Sequence, residues 1–229
     1  MTQTYVHGDA VPVIGGAYRA KRAVVDYLEA ELPIIYPNLG RIWDLQTEQQ
    51  WIAPNKIYDF EAIRLNPSEF PVMVVAVLNT GAVTPMGPDD VTGDTLFYVD
   101  YNMRIYAWMR AATADLVSKL RDYQTASLRV ALTRRATLRP SSDRTINSDL
   151  DMKMRPETLT EDYSEITGHG QNSFIAGSFV TFRLSILERA GSEIVSTDLT
   201  QPPSGGFTPT ADVRGTTGSD NSRPTFDMS

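Results

Sequence analysis

From Leu96 to Met109 the side chains alternate without a fault. Phe97, Val99, Tyr101, Met103, Ile105, Ala107 and Met109 fall on one side; Tyr98, Asp100, Asn102, Arg104, Tyr106 and Trp108 fall on the other. Period 2 is the repeat of extended chain, so the stretch predicts a long strand of an antiparallel sheet with one face on a core. The second side is not that of a solvated strand, because it offers Tyr98, Tyr106 and Trp108 to whatever lies outside. A free monomer rarely leaves such a patch bare. A partner subunit is the simplest cover, and these three residues become candidate interface positions.

A second strand with the same two-sided character is expected over Phe174–Glu188. Ala176, Val180, Phe182, Leu184 and Ile186 share one face, and Ile175, Phe179, Arg183 and Leu187 the other. Phe179 joins the interface candidates. The β-branched run Pro71–Asn79 and the segment Tyr58–Leu65 predict two more strands, and Leu150–Met154 a short one. Thr80–Thr95 is rich in turn residues and too long for a tight hairpin, so it is expected to be a protruding hairpin loop. Its Asp89, Asp90 and Asp94 lack the spacing and closing Glu of an EF-hand. Glu157–Gly170 is expected to be irregular.

Two helices are predicted. Ala17–Leu32 carries Ala17, Val24, Val25, Leu28 and Leu32 on one stripe, with Pro33 as its stop. Thr113–Arg135 starts on a Thr113 N-cap. It sets Leu116, Val117, Leu120, Leu128 and Ala131 against Asp115, Ser118, Asp122, Thr125 and Arg129. Arg129, Arg134, Arg135 and Arg139 complement the negative end of its dipole, and a secondary reading has them meet an acidic neighbour. The fold class is α+β: an antiparallel sheet flanked by two main helices, with a long flexible C-terminal tail. Residues 1–16 are expected to be a flexible N-terminus, 17–190 one domain, and 191–229 a disordered or extended arm. That arm is dominated by Thr, Ser, Pro, Gly and Asp, too poor in large apolar residues to order itself. Phe207, Val213 and Phe226 are its candidate anchors on a neighbouring subunit.

The search for chemistry finds little. The chain of 229 residues has no cysteine, which removes thiolate nucleophiles, disulfides and cysteine metal sites together. Its formal charge of −7 disfavours tracking a phosphate backbone. His7 and His169 have no evident orienting partner, and phosphate-loop, dinucleotide and nucleophile-elbow patterns are missing. No catalytic residue, cofactor or metal is therefore expected. The first residues show no signal-peptide pattern and no apolar run reaches the length of a membrane span, so a soluble protein is expected.

The order of elements, with YVDYNMRIYAWMRAATADLVSKLRDYQTASLRVAL and SFVTFRLSILERA, resembles the tail terminator (tail completion) proteins of long-tailed bacteriophages and the neck proteins encoded near them, over roughly residues 12–190. The resemblance implies a structural virion protein, not an enzyme, that forms a homo-oligomeric ring, typically a hexamer. Such a ring sits at the head-proximal end of the tail tube, ends tube growth and joins the tail to the head connector. Its implied partners are the major tail tube protein and a connector or stopper protein, and DNA passes through its lumen without specific binding. A stopper, adaptor or tube subunit is the neighbouring expectation. An α+β enzyme or ligand-binding domain is the remote one.

Overall fold

The computed structural model describes residues 15–43, 54, 56–60, 69–89, 93–169 and 173–190. The chain divides into two units, Met1–Ile194 and Val195–Ser229, and the second lies wholly outside the described residues. So do Phe207 and Phe226, the N-terminal residues 1–14 and the expected arm from Gly191 onward.

The elements follow in the order α1 (Gly16–Ile42), β1 (Lys56–Tyr58), β2 (Val72–Pro88), β3 (Thr95–Ala111), α2 (Ala114–Arg134), β4 (Met152–Tyr163), β5 (Thr167–Gly168) and β6 (Phe174–Ala190). They build an α+β fold around one sheet of order β1-β2-β3-β6-β4, with β5 paired to β6. All pairings are antiparallel except β1 with β2, which is parallel. The central pair is β3–β6, in unbroken register from Thr95↔Ala190 to Ala111↔Phe174. Phe97, Val99, Tyr101, Met103, Ile105, Ala107 and Met109 all join or pack on the core cluster with α1 and α2, as the alternation predicts.

Helix α1 does not stop at Pro33. It runs on through Pro33 and Pro37 to Ile42. Each proline leaves a carbonyl one turn back without its donor, at about 3 kcal/mol or more apiece. Both prolines are exposed, so those carbonyls stay within reach of water. Opposite them, Ile35, Tyr36 and Leu39 continue the buried stripe set by Leu28 and Leu32, each worth about 1.5–3 kcal/mol. The Tyr36 hydroxyl donates to Gln124 Oε1 and the Tyr123 hydroxyl donates to the Tyr36 carbonyl. Tertiary burial outweighs the local stop signal. Trp43 then stacks edge-on against Tyr123, with ring centroids 5.6 Å apart. Ala17 is exposed rather than on the stripe, which begins at Ala20.

Helix α2 starts as expected, with the Leu116 N–H donating to Thr113 Oγ1 at 3.2 Å. Thr125 is buried instead of solvated, its hydroxyl donating to the Arg121 carbonyl at 2.8 Å. The basic end of α2 is largely taken up within the chain. Arg129 forks onto Glu161, Arg134 lies 3.3 Å from the fully buried Glu31, and Arg139 donates to the Leu150 carbonyl at 3.0 Å.

The expected hairpin loop Thr80–Thr95 is a hairpin, but most of it is strand: β2 continues to Pro88 and pairs with β3 down to Thr95. Bulges between Val77 and Asn79, Thr80 and Val83, and Pro85 and Gly87 absorb the turn-prone residues. Gly87, at φ +110, supplies a conformation that L side chains resist. Likewise, Glu157–Gly170 is not irregular throughout. Strand β4 runs to Tyr163 with an interruption between Arg155 and Thr160, where Pro156 has no N–H to give. Thr158 fills the gap: its hydroxyl oxygen accepts from the Arg183 N–H at 2.9 Å. Of the described residues of Tyr58–Leu65, Tyr58 belongs to a strand and Asp59 and Phe60 do not; residues 61–68 lie outside the described set.

Burial raises the pKa of Tyr27, Tyr36, Tyr101 and Tyr123, and Tyr98 is pushed up to about 12 by burial and the Asp151 carboxylate. Raised folded values mean these phenols contribute stability that is complete below their unfolded pKa of about 10 and is lost above it. Denaturant titration is expected to give a steady unfolding free energy from pH 8 to 9 and a falling one above about pH 10.

Candidate interaction surface

Both helices pack on the same side of the sheet. The core cluster takes Met73 and Val75 from β2, Val99 to Met109 from β3, Met152 and Met154 from β4, and Ala176 to Ile186 from β6. The complementary residues form a second face. Buried Val72, Val74, Ala76 and Leu187 belong to it and lie outside the core cluster. No helix among the described residues packs on that face.

One end of this face is aromatic. Tyr106 and Trp108 are half-buried and set their rings edge-on against Phe179, with centroids 5.3 and 6.0 Å apart. Register explains the cluster: Tyr106 pairs with Phe179 across the ladder, and Trp108 pairs with Gly177. A Cβ at Gly177 would lie 2.7 Å from the Trp108 ring, so only glycine lets the indole lie flat on β6. Beside Trp108 opens a cleft of about 320 Å³, lined by Trp108, Ser164, Glu165, Thr167, His169 and Ile175. Its wall is fixed by the Ser164 N–H donating to the Gly177 carbonyl at 2.9 Å and by the Ser164 hydroxyl, which accepts from the Gly177 N–H at 2.7 Å.

The middle of the face is basic. Arg155 and Arg183 are directly opposed across β4 and β6, and Arg104 stands diagonally on β3. Like charges in that arrangement need a counter-ion, and Asp100 supplies it. This buried carboxylate lies 3.4 Å from Arg155 and 3.6 Å from Arg183, and accepts from Ser185 Oγ at 2.6 Å. One Asp faces two Arg, and Arg104 adds a third cation, its side chain 5.9 Å from the Tyr106 ring. Tyr98 closes the far end, its hydroxyl donating to Asp151 at 3.1 Å.

Four sequence-derived interface candidates, Tyr98, Tyr106, Trp108 and Phe179, therefore share this face. Tyr106 and Trp108 both pack on Phe179, while Tyr98 stands apart with Asp151. Phe207 and Phe226 lie outside the described residues. Sequence reasoning missed the cleft. His169 reads as a loop histidine, and nothing in one chain's sequence signals that β5 folds its loop against Trp108. Of the acidic residues in the β2–β3 hairpin, Asp94 lies 3.7 Å from Arg189, and Asp90 is outside the described residues. No helix among the described residues is long and apolar enough to cross a membrane.

No protein-family model matches the chain, and no curated protein matches it either.

The Trp108–Gly177 contact generates a prediction. Gly177→Ala forces the indole off β6 and is expected to destabilise the fold by about 1–3 kcal/mol. In the Trp108→Ala background the same change should cost far less, because the clash is gone. Denaturant midpoints of the four proteins in this cycle measure the coupling.

Proposed function

We infer that this chain is a structural subunit that assembles through the face of its sheet opposite the two helices. The observation that carries this reading is the cluster Tyr106, Trp108 and Phe179: three large rings, half-buried on a face no described helix covers. Aromatic residues in such a setting are the usual anchors of protein interfaces, with neighbouring Arg the next most common. Together with the resemblance to tail terminator and neck proteins, it supports a ring at the head-proximal end of a phage tail tube. There the chain ends tube growth, joins the tail to the head connector, and becomes part of the virion. The α+β architecture and the protruding β2–β3 hairpin suit that role, and the net charge of −7 suits a lumen past which DNA moves without sticking. A stopper, adaptor or tube subunit would use the same face. A tube subunit differs in polymerising without limit, which electron microscopy of purified protein reveals.

Phe179→Glu tests the surface. It places a charge among the rings and is expected to weaken association by about 2 kcal/mol or more, roughly thirtyfold in the dissociation constant. The monomer should keep its circular dichroism spectrum. Sedimentation velocity across a concentration series reads the result. A variant that associates like the unaltered chain removes this face from the assembly.

A further inference from the structure

Asp100 orients the arginine row without satisfying it. Its Oδ1 already accepts from Ser185 Oγ at 2.6 Å, and the two arginines that share it stand 3.4 and 3.6 Å away. Charge-assisted hydrogen bonds close to about 2.7–2.9 Å. Arg155 has a further partner, its Nε–H donating to Ser185 Oγ at 3.0 Å, and Arg104 donates to Thr181 Oγ1 at 3.1 Å. Arg183 has less. Among the described residues its guanidinium is met by Asp100 at 3.6 Å alone, and its Nε is buried without a hydrogen-bond partner. An unpaired buried donor in a folded chain calls for an explanation, and a bound ion is one of the usual ones. The side chains of Arg155 and Arg183 remain 41% and 40% exposed, so a solute can reach them.

The charge of the patch points the same way. Three guanidiniums face one carboxylate, an excess of two positive charges, within a chain of formal charge −7. The flanking charges that register places on this face, Lys153 and Asp162, have opposite signs. Like charges directly opposed across a ladder are destabilising, so sheet stability alone does not explain the pair Arg155↔Arg183. Thr158 nevertheless fixes that opposition, accepting from the Arg183 N–H at 2.9 Å and donating to the Arg155 carbonyl at 2.7 Å. We propose that Arg155 and Arg183, with Arg104 beside them, form a binding site for a dianionic phosphate group, carried by inorganic phosphate or by a small phosphate monoester. A guanidinium fork engages two phosphate oxygens at once. A monoester carries about −1.5 to −2 charges at neutral pH, which matches the excess on the patch. A phosphodiester carries a single charge and leaves the pair under-neutralised, so the backbone of a nucleic acid fits this cluster less well. The site goes beyond the assembly reading and does not depend on it, since each subunit presents the whole cluster.

Isothermal titration calorimetry of the full-length chain tests the site, at a fixed ionic strength set with sodium chloride. The probes are inorganic phosphate, methyl phosphate and dimethyl phosphate. Inorganic phosphate and methyl phosphate are expected to bind alike, and dimethyl phosphate roughly tenfold more weakly, as loss of one charge among the arginines implies. Binding of inorganic phosphate without methyl phosphate keeps the site and assigns it to the free ion. Arg183→Gln should weaken phosphate roughly tenfold or more, the effect of losing hydrogen bonds to a charged group. Lys119→Gln, which removes the same charge from the exposed surface of α2, should leave the affinity unchanged. Asp100→Asn removes the carboxylate that competes with the ligand and should tighten phosphate roughly threefold or more. That gain of affinity is a result that a disturbed fold does not produce. Absence of phosphate binding above the sodium chloride background would overturn the site. So would dimethyl phosphate binding as tightly as methyl phosphate, Arg183→Gln binding like the unaltered chain, or Asp100→Asn failing to tighten it.

Discussion

The pairing of β3 with β6 is the constraint on which the rest of the structure depends. Seventeen consecutive residues of each strand oppose one another, from Thr95↔Ala190 to Ala111↔Phe174, with no bulge. An unbroken register leaves no freedom in side-chain direction: every second residue of both strands must face the helices and every other must face away. One slip would carry Met103, Ile105, Phe182 and Leu184 out of the core and Asp100, Arg104 and Arg183 into it. The irregularities of the sheet are all moved to its flanks, into β2 and β4. There bulges bend the hairpin, and a threonine hydroxyl stands in for a missing ladder bond.

Two faces of different character follow from that register. The covered face is closed by α1 and α2, which are tied to each other by tyrosine hydroxyls, and α1 is tied to the loop after α2 through Glu31. The fully buried Glu31 is tolerated because the Ser141 hydroxyl donates to it at 2.8 Å and Arg134 approaches it. The second face contains the elements of a recognition surface. It has an aromatic cluster seated on a glycine, a cleft at its edge, and an arginine row held by one buried carboxylate. Holding Arg155 and Arg183 on Asp100 fixes their geometry before any partner arrives, which lowers the ordering cost of docking.

Much of this was legible in the sequence, and the reasons are specific. The alternation in Leu96–Met109 and Phe174–Glu188 is long enough that no other structure accommodates it, so both faces and four interface candidates could be read directly. The capped start of α2 was equally clear. Failures came where a local signal met a tertiary one. Pro33 reads as a stop, but the stripe through Ile35, Tyr36 and Leu39 continues on the far side of the helix. Turn-prone Thr80–Thr95 reads as the loop of a hairpin, but β3 offers its first nine residues a strand partner. Pro156 reads as irregular chain, though an edge strand with a bulge accepts it. The cleft could not be read at all, because Trp108, Glu165, His169 and Ile175 meet only through the β5–β6 pairing.

The central claim is that the face bearing Tyr106, Trp108 and Phe179 is covered by another subunit in the working assembly. Electron cryomicroscopy of the assembled particle tests it most directly, at a resolution that shows aromatic side chains. The account predicts a closed ring of this chain in which the Trp108 and Phe179 rings are enclosed by density of a neighbouring subunit. A particle in which that face lies open to solvent would contradict it.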